Sequence, residues 1–155
     1  MDFSCTRGAG FVSPTGNTAC VVFTRASGLY DALTVRCDLR DHTYTTPPKP
    51  QSCGTDSGQT IELGDSARFL CAGDTILDHV GTRNPYATDY TTWFDPTQNP
   101  AVGPLAGLGY GNSIKVDAIT CTSTRSGVDC RNTATGVGFL IGMSSYRLTG
   151  RRPGR

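Results

Sequence analysis

The chain reads as an all-β protein, a set of disulfide-bonded antiparallel hairpins packed into a small sandwich or barrel. Three observations lead there. Six of the seven cysteines fall into successive pairs, Cys20 with Cys37, Cys53 with Cys71 and Cys121 with Cys130, each bracketing a hairpin-like stretch. Glu62 is the only glutamate, and Lys49 and Lys115 are the only lysines. Both residue types populate exposed helix faces, whereas the plentiful Asp and Gly disfavour helix interiors. Finally, short β-branched and aromatic runs end repeatedly at Gly, Asn, Asp or Ser.

The elements follow in order. Ser13-Pro14-Thr15-Gly16-Asn17 is turn chemistry, because Pro presets φ while Gly and Asn accept positive φ. The first hairpin pairs residues 19–23 with 33–37 around a turn at Arg25-Ala26-Ser27-Gly28, with Cys20 and Cys37 near its open end. A short β-prone run, 43–46, is cut off by Pro47-Pro48-Lys49-Pro50, a stiff extended connector with almost no ladder donors. The second hairpin pairs 59–63 with 67–71 across Gly64-Asp65. There Ile61, Leu63, Phe69 and Cys71 recur at every second position, so one face is expected to be buried. The third runs from Ile114 to Asp129 and turns at Ser126-Gly127; a last pair of runs covers 138–142 and 146–148.

At 155 residues the chain forms one domain, with a core large enough that disulfides supplement burial instead of replacing it. Apolar strands ending in a half-cystine, 35–37, 69–71 and 128–130, also fit a β-trefoil, although their intervals are unequal.

Metal sites need close C-x2–4-C pairs, and no two cysteines here are nearer than Cys121 and Cys130. Disulfides are therefore expected, each closed loop stabilising the fold by about 3 kcal/mol, which places the protein outside a reducing cytosol. Cys5 is left over, as a terminal thiol, an intermolecular bridge or a lipid attachment point. No apolar run precedes it, so an export signal is expected to be missing from this sequence. No stretch reaches the ~20 apolar residues of a membrane span. With 14 basic against 13 acidic residues, no global field attracts nucleic acid or an anionic membrane.

Catalytic signatures are mostly missing: there is no G-x-S-x-G elbow, Walker loop, H-E-x-x-H or EF-hand loop. No catalytic residue, metal or cofactor is assigned. Asp56-Ser57-Gly58 is half of an aspartic protease pattern without its second copy. Gly107-Leu108-Gly109-Tyr110-Gly111 reads as a strand entry, with no helix behind it to cradle a phosphate. His42 follows Asp41 and His79 follows Asp78, but adjacent strand residues face opposite ways, so neither dipeptide makes an oriented pair on a regular strand. Asp38, Asp41, Asp74 and Asp78 could gather round calcium, yet no loop spacing supports it.

The best candidate site is the irregular segment 79–104, where Tyr86, Tyr90, Trp93 and Phe94 sit among Thr, Asn and Asp. That composition suits stacking on sugar rings or anchoring a protein partner; alternatively the rings fold back as a lid over the core.

The chain resembles a family of small exported domains and lipoproteins of actinobacteria, catalogued as a domain of unknown function. The residues that carry the resemblance are 11–20 (Phe11-Val12-Ser13-Pro14-Thr15-Gly16-Asn17-Thr18-Ala19-Cys20), 35–38, 67–75, 108–111, and 121–132 leading into 135–139. It covers most of residues 11–148. It implies export, three disulfides and a β-rich fold, and brings no known activity. Cys5 is extra, and 79–104 looks longer than the family pattern.

Together these readings point to a non-enzymatic, exported cell-envelope domain that binds a glycan or protein partner through 79–104. The alternatives are a small hydrolase using His42 or His79, and a disulfide-framed protease inhibitor presenting 83–100.

Overall fold

The computed structural model describes residues 2–5, 8–23, 32–46, 57–71 and 106–150. Every regular element among them is a strand: β1 (Asp2–Cys5), β2 (Gly8–Val12), β3 (Thr18–Phe23), β4 (Thr34–Leu39), β5 (Ser57–Leu63), β6 (Ala67–Cys71), β7 (Ala106–Gly107), β8 (Ser113–Val116), β9 (Ile119–Thr124), β10 (Gly127–Asn132), β11 (Gly138–Ile141) and β12 (Tyr146–Thr149). Among the described residues no helix is long and apolar enough to cross a membrane.

The strands form two sheets, ordered β6-β5-β4-β3-β2-β7 and β1-β8-β9-β10-β11-β12. Each is an antiparallel run of five strands with a sixth, parallel strand at one edge. Among the described residues neither sheet closes on itself, so the architecture is a sandwich and not a closed barrel, the other expectation. The trefoil reading also gives way, because the repeat is two-fold. Adding six to a strand number carries one sheet's order onto the other. The first strand of each half crosses over to lie beside the second strand of the other half: β1 beside β8, β7 beside β2. A half-cystine is third in both β3 and β9, and fourth in both β4 and β10.

Side chains at every second position face between the sheets. Cys20 and Val22 of β3, Val35, Cys37 and Leu39 of β4, and Ile61 and Leu63 of β5 meet Ile119, Cys121, Val128, Cys130, Phe139 and Ile141 in one core. Hairpin geometry fixed two bridges as the spacing predicts. Cys20 lies directly opposite Cys37, and Cys121 opposite Cys130; both pairs are disulfide-bonded. Cys71 is also half of a disulfide, while Cys53 lies outside the described residues. β3 is buried along its whole length, with its outward Val21 and Phe23 included.

Three details depart from the sequence reading. Residues 43–46 form no strand; Tyr44 from this run instead plugs the side of the sandwich, making edge contacts with Tyr146 at 5.1 Å and a tilted contact with Phe69 at 6.0 Å. Ile114 belongs to a separate strand, β8, joined to β9 through Asp117 and Ala118, and Asp117 takes the positive φ (51°) that a short polar side chain tolerates. The β9–β10 turn is Arg125-Ser126, one residue earlier than expected, with Gly127 already paired to Thr124.

Candidate functional site

A pocket of about 110 Å³ opens at one end of the sandwich, where turns from both sheets converge. The first wall is the β2–β3 turn, contributing Ser13, Thr15, Asn17 and Thr18. This turn is ordered from within: the Ser13 amide donates to the Thr18 carbonyl at 2.8 Å, the Gly16 amide to Ser13 at 2.9 Å, and the Thr18 amide to the Ser13 hydroxyl at 3.1 Å. Asn17 then clamps the chain after β4. Its Nδ2 donates to the Asp41 carbonyl at 3.0 Å and its Oδ1 accepts the Asp41 amide at 2.9 Å.

The second wall is the β9–β10 turn with Thr124, Arg125, Ser126 and Gly127. The Thr124 hydroxyl donates to the Gly127 carbonyl at 2.8 Å and accepts the Ser126 amide at 3.2 Å, which locks the two-residue turn. The floor is the β11–β12 turn, Gly142 and Met143. Glycine is required here by close approach: a Cβ on Gly142 would stand 2.0 Å from the Ser126 carbonyl oxygen, and one on Gly127 2.2 Å from that of Ile141. The Met143 carbonyl accepts the Thr43 amide at 2.7 Å, tying this turn to the segment that Asn17 holds.

Tyr110 completes the rim. Leu108 anchors its loop, fully buried and donating its amide to Val12 at 2.9 Å. Gly111, at φ 85°, donates to the Ser123 carbonyl at 2.7 Å, and the Asn112 carbonyl accepts the Ser123 amide at 3.0 Å. The loop thereby runs beside the end of β9 and brings Tyr110 to Arg125, whose guanidinium carbon lies 4.8 Å from the ring centroid. Such a cation–π contact also restricts a side chain that is otherwise floppy. Tyr110 remains 40% exposed and Met143 49%.

Tyr86, Tyr90, Trp93, Phe94 and His79 fall outside the described residues, as do Asp74 and Asp78. His42 is half-buried and stacks on Tyr44 at 4.4 Å between centroids. No carboxylate of the described residues makes an ion pair or hydrogen bond with it. Asp38 is buried, and both its oxygens accept from Arg36 at 3.0 Å, which occupies the group as a calcium ligand. Cys20, Cys37 and Cys130 bring their sulfurs within 4.8 Å of one another, a distance suited to a metal cluster. All three are in disulfides, however, and a metal needs the thiolate.

Tyr110 and Arg125 were missed as site residues for identifiable reasons. Tyr110 sits in a glycine-rich run that reads as a strand entry, and Arg125 in a hairpin turn. An aromatic ring flanked by two glycines, in a segment that must turn, was the available signal. The fold and the pocket define a two-sheet, disulfide-framed β-sandwich with a polar end pocket. No family model, curated protein or solved structure matches the chain.

Proposed function

We propose that this chain is an exported, non-enzymatic cell-envelope domain that binds a glycan, and that the end pocket is where it does so. The observation that carries the reading is the pocket's composition: an exposed tyrosine ring beside Thr, Ser and Asn side chains, on turns of which two are ordered by their own internal hydrogen bonds. Sugars are recognised by ring stacking together with hydroxyl and amide hydrogen bonds, and a preordered rim reduces the entropy lost on binding. The disulfides support export, because such bridges persist in oxidising compartments.

A protein partner is the second reading, favoured by the exposed Met143 beside Tyr110, a pairing typical of contact surfaces. The segment carrying Tyr86, Tyr90, Trp93 and Phe94 belongs to either reading as additional contact area. The hydrolase alternative is disfavoured at His42 by the lack of an orienting carboxylate among the described residues, since a catalytic imidazole needs one. The protease-inhibitor alternative rests on 83–100, which lie outside the described residues.

The test is calorimetric titration with envelope polysaccharides, using Tyr110→Ala as the control. Loss of binding with an unchanged melting temperature supports the pocket. Undiminished glycan binding by the variant moves the site elsewhere.

A further inference from the structure

We propose that the ligand of this pocket carries a negative charge, as a carboxylate or a phosphate on a sugar ring; this rests on the glycan reading above. Among the described residues Arg125 is the sole charged one lining the pocket. Every other polar group that the described residues bring to its walls is a neutral hydroxyl, amide or backbone group, so none of them competes for the guanidinium. Among the described residues no carboxylate forms an ion pair with Arg125, in contrast to Arg36 and Arg68, which pair with Asp38 and Glu62.

Presentation matters as much as charge. Arg125 projects from a turn that Thr124 locks from both sides, and its guanidinium lies over the Tyr110 ring. A guanidinium held in this way keeps a planar fork of donors, the geometry that matches the two oxygens of a carboxylate or phosphate. The neighbouring hydroxyls of Thr15, Thr124 and Ser126 and the Asn17 amide lie on the same rim, where ring hydroxyls of an acidic sugar can reach them. An isolated inorganic anion would draw on Arg125 and the hydroxyls nearest it, but would bring no ring to stack on Tyr110. Acidic sugar therefore fits the whole lining, and a neutral sugar fits all of it except its one charge.

The experiment is a titration followed by amide chemical shifts, with gluco-, galacto- and manno-configured hexoses, their uronic acids, their 6-phosphates, and inorganic phosphate. At least one acidic sugar is expected to bind tenfold or more tightly than its neutral parent, shifting residues 125–127 and 142. Arg125→Gln is expected to remove that tenfold preference, the scale of one charge-assisted hydrogen bond, while Arg125→Lys restores part of it. Comparing uronic acids with phosphates identifies which anion is read. Equal binding of neutral and acidic sugars, unchanged in Arg125→Gln, overturns the charge proposal and leaves the glycan reading standing. Inorganic phosphate binding as tightly as any sugar phosphate overturns the glycan reading and retains the anion site. Failure of every sugar and of phosphate overturns both.

Discussion

Cys37 and Cys130 lie on facing sheets with their sulfurs within 4.8 Å of each other, so the two cross-strand disulfides stand side by side in the core. They occupy corresponding positions of the two six-strand halves. Their juxtaposition is thus the place where the internal two-fold relation of the fold meets itself.

That juxtaposition predicts non-additivity. Replacing Cys20 and Cys37 by alanine, or Cys121 and Cys130, should each lower stability by about 2–4 kcal/mol. Each replacement also removes the sulfurs that stand beside the other bridge. The four-site variant should therefore lose less than the sum, by at least about 0.5 kcal/mol. Urea unfolding of the three variants under oxidising conditions measures this. Strict additivity would show that the two bridges act only through their separate loops.

The cysteine-bearing hairpins were legible because β-branched runs around polar turns state their own pairing, and a directly opposed pair of half-cystines fixes the register. Gly127 misled by one residue. Glycine in sequence suggests a turn position, whereas here it begins β10 and is needed there because the backbone at Ile141 occupies the space a side chain would fill. Parallel edge strands such as β1 and the two-residue β7 carry no hairpin signal; their partners lie in the other half of the chain. The pocket was illegible for the same reason. It joins turns at 13–18, 124–127 and 142–143 with Tyr110, and no local pattern states that convergence.

Ser123 breaks the correspondence between the halves in an informative way. It stands two residues beyond Cys121, where the other half has Val22 two beyond Cys20. Both are about 1% exposed, and the Ser123 hydroxyl has no hydrogen-bond partner. A buried unsatisfied hydroxyl costs about 1–3 kcal/mol. Ser123→Ala should therefore raise stability by about 1 kcal/mol, and Ser123→Val should be tolerated. A loss of more than about 1 kcal/mol for the alanine variant, in urea melts, would mean that the hydroxyl has a partner in solution.

Gly142 predicts the opposite sign. Its added Cβ would meet a backbone carbonyl, which cannot swing aside as a side-chain tip can. Gly142→Ala should cost about 1–3 kcal/mol, as overpacking does. It should also part the β9–β10 turn from the pocket floor and weaken ligand capture. Gly111→Ala serves as a contrast. Nothing lies near its Cβ, so its cost comes from the φ of 85° alone and leaves the floor intact. Equal effects on binding from the two variants would argue against the close contact as the source.

Tyr44 sets the response of the fold to alkali. Its hydroxyl donates to the buried Gly58 carbonyl at 2.5 Å. Burial, and secondarily the neighbouring Tyr146, push its phenol well above the ordinary tyrosine value. Below about pH 10, the ordinary value, folded and unfolded chains both keep the proton, and this group gives stability no slope with pH. Above it the unfolded chain releases the proton while the folded chain holds it. The unfolded state then binds fewer protons, so stability falls as pH rises, by up to about 1.4 kcal/mol per pH unit from this residue. Tyr44→Phe should cost about 1–3 kcal/mol at pH 7, because the Gly58 carbonyl loses its donor in a buried place. The variant has no proton to lose at this position, so the gap to the parent should narrow steadily above pH 10. Urea melts from pH 7 to 11.5 test both arms, and a gap that stays constant across that range would place the alkaline response in some other group.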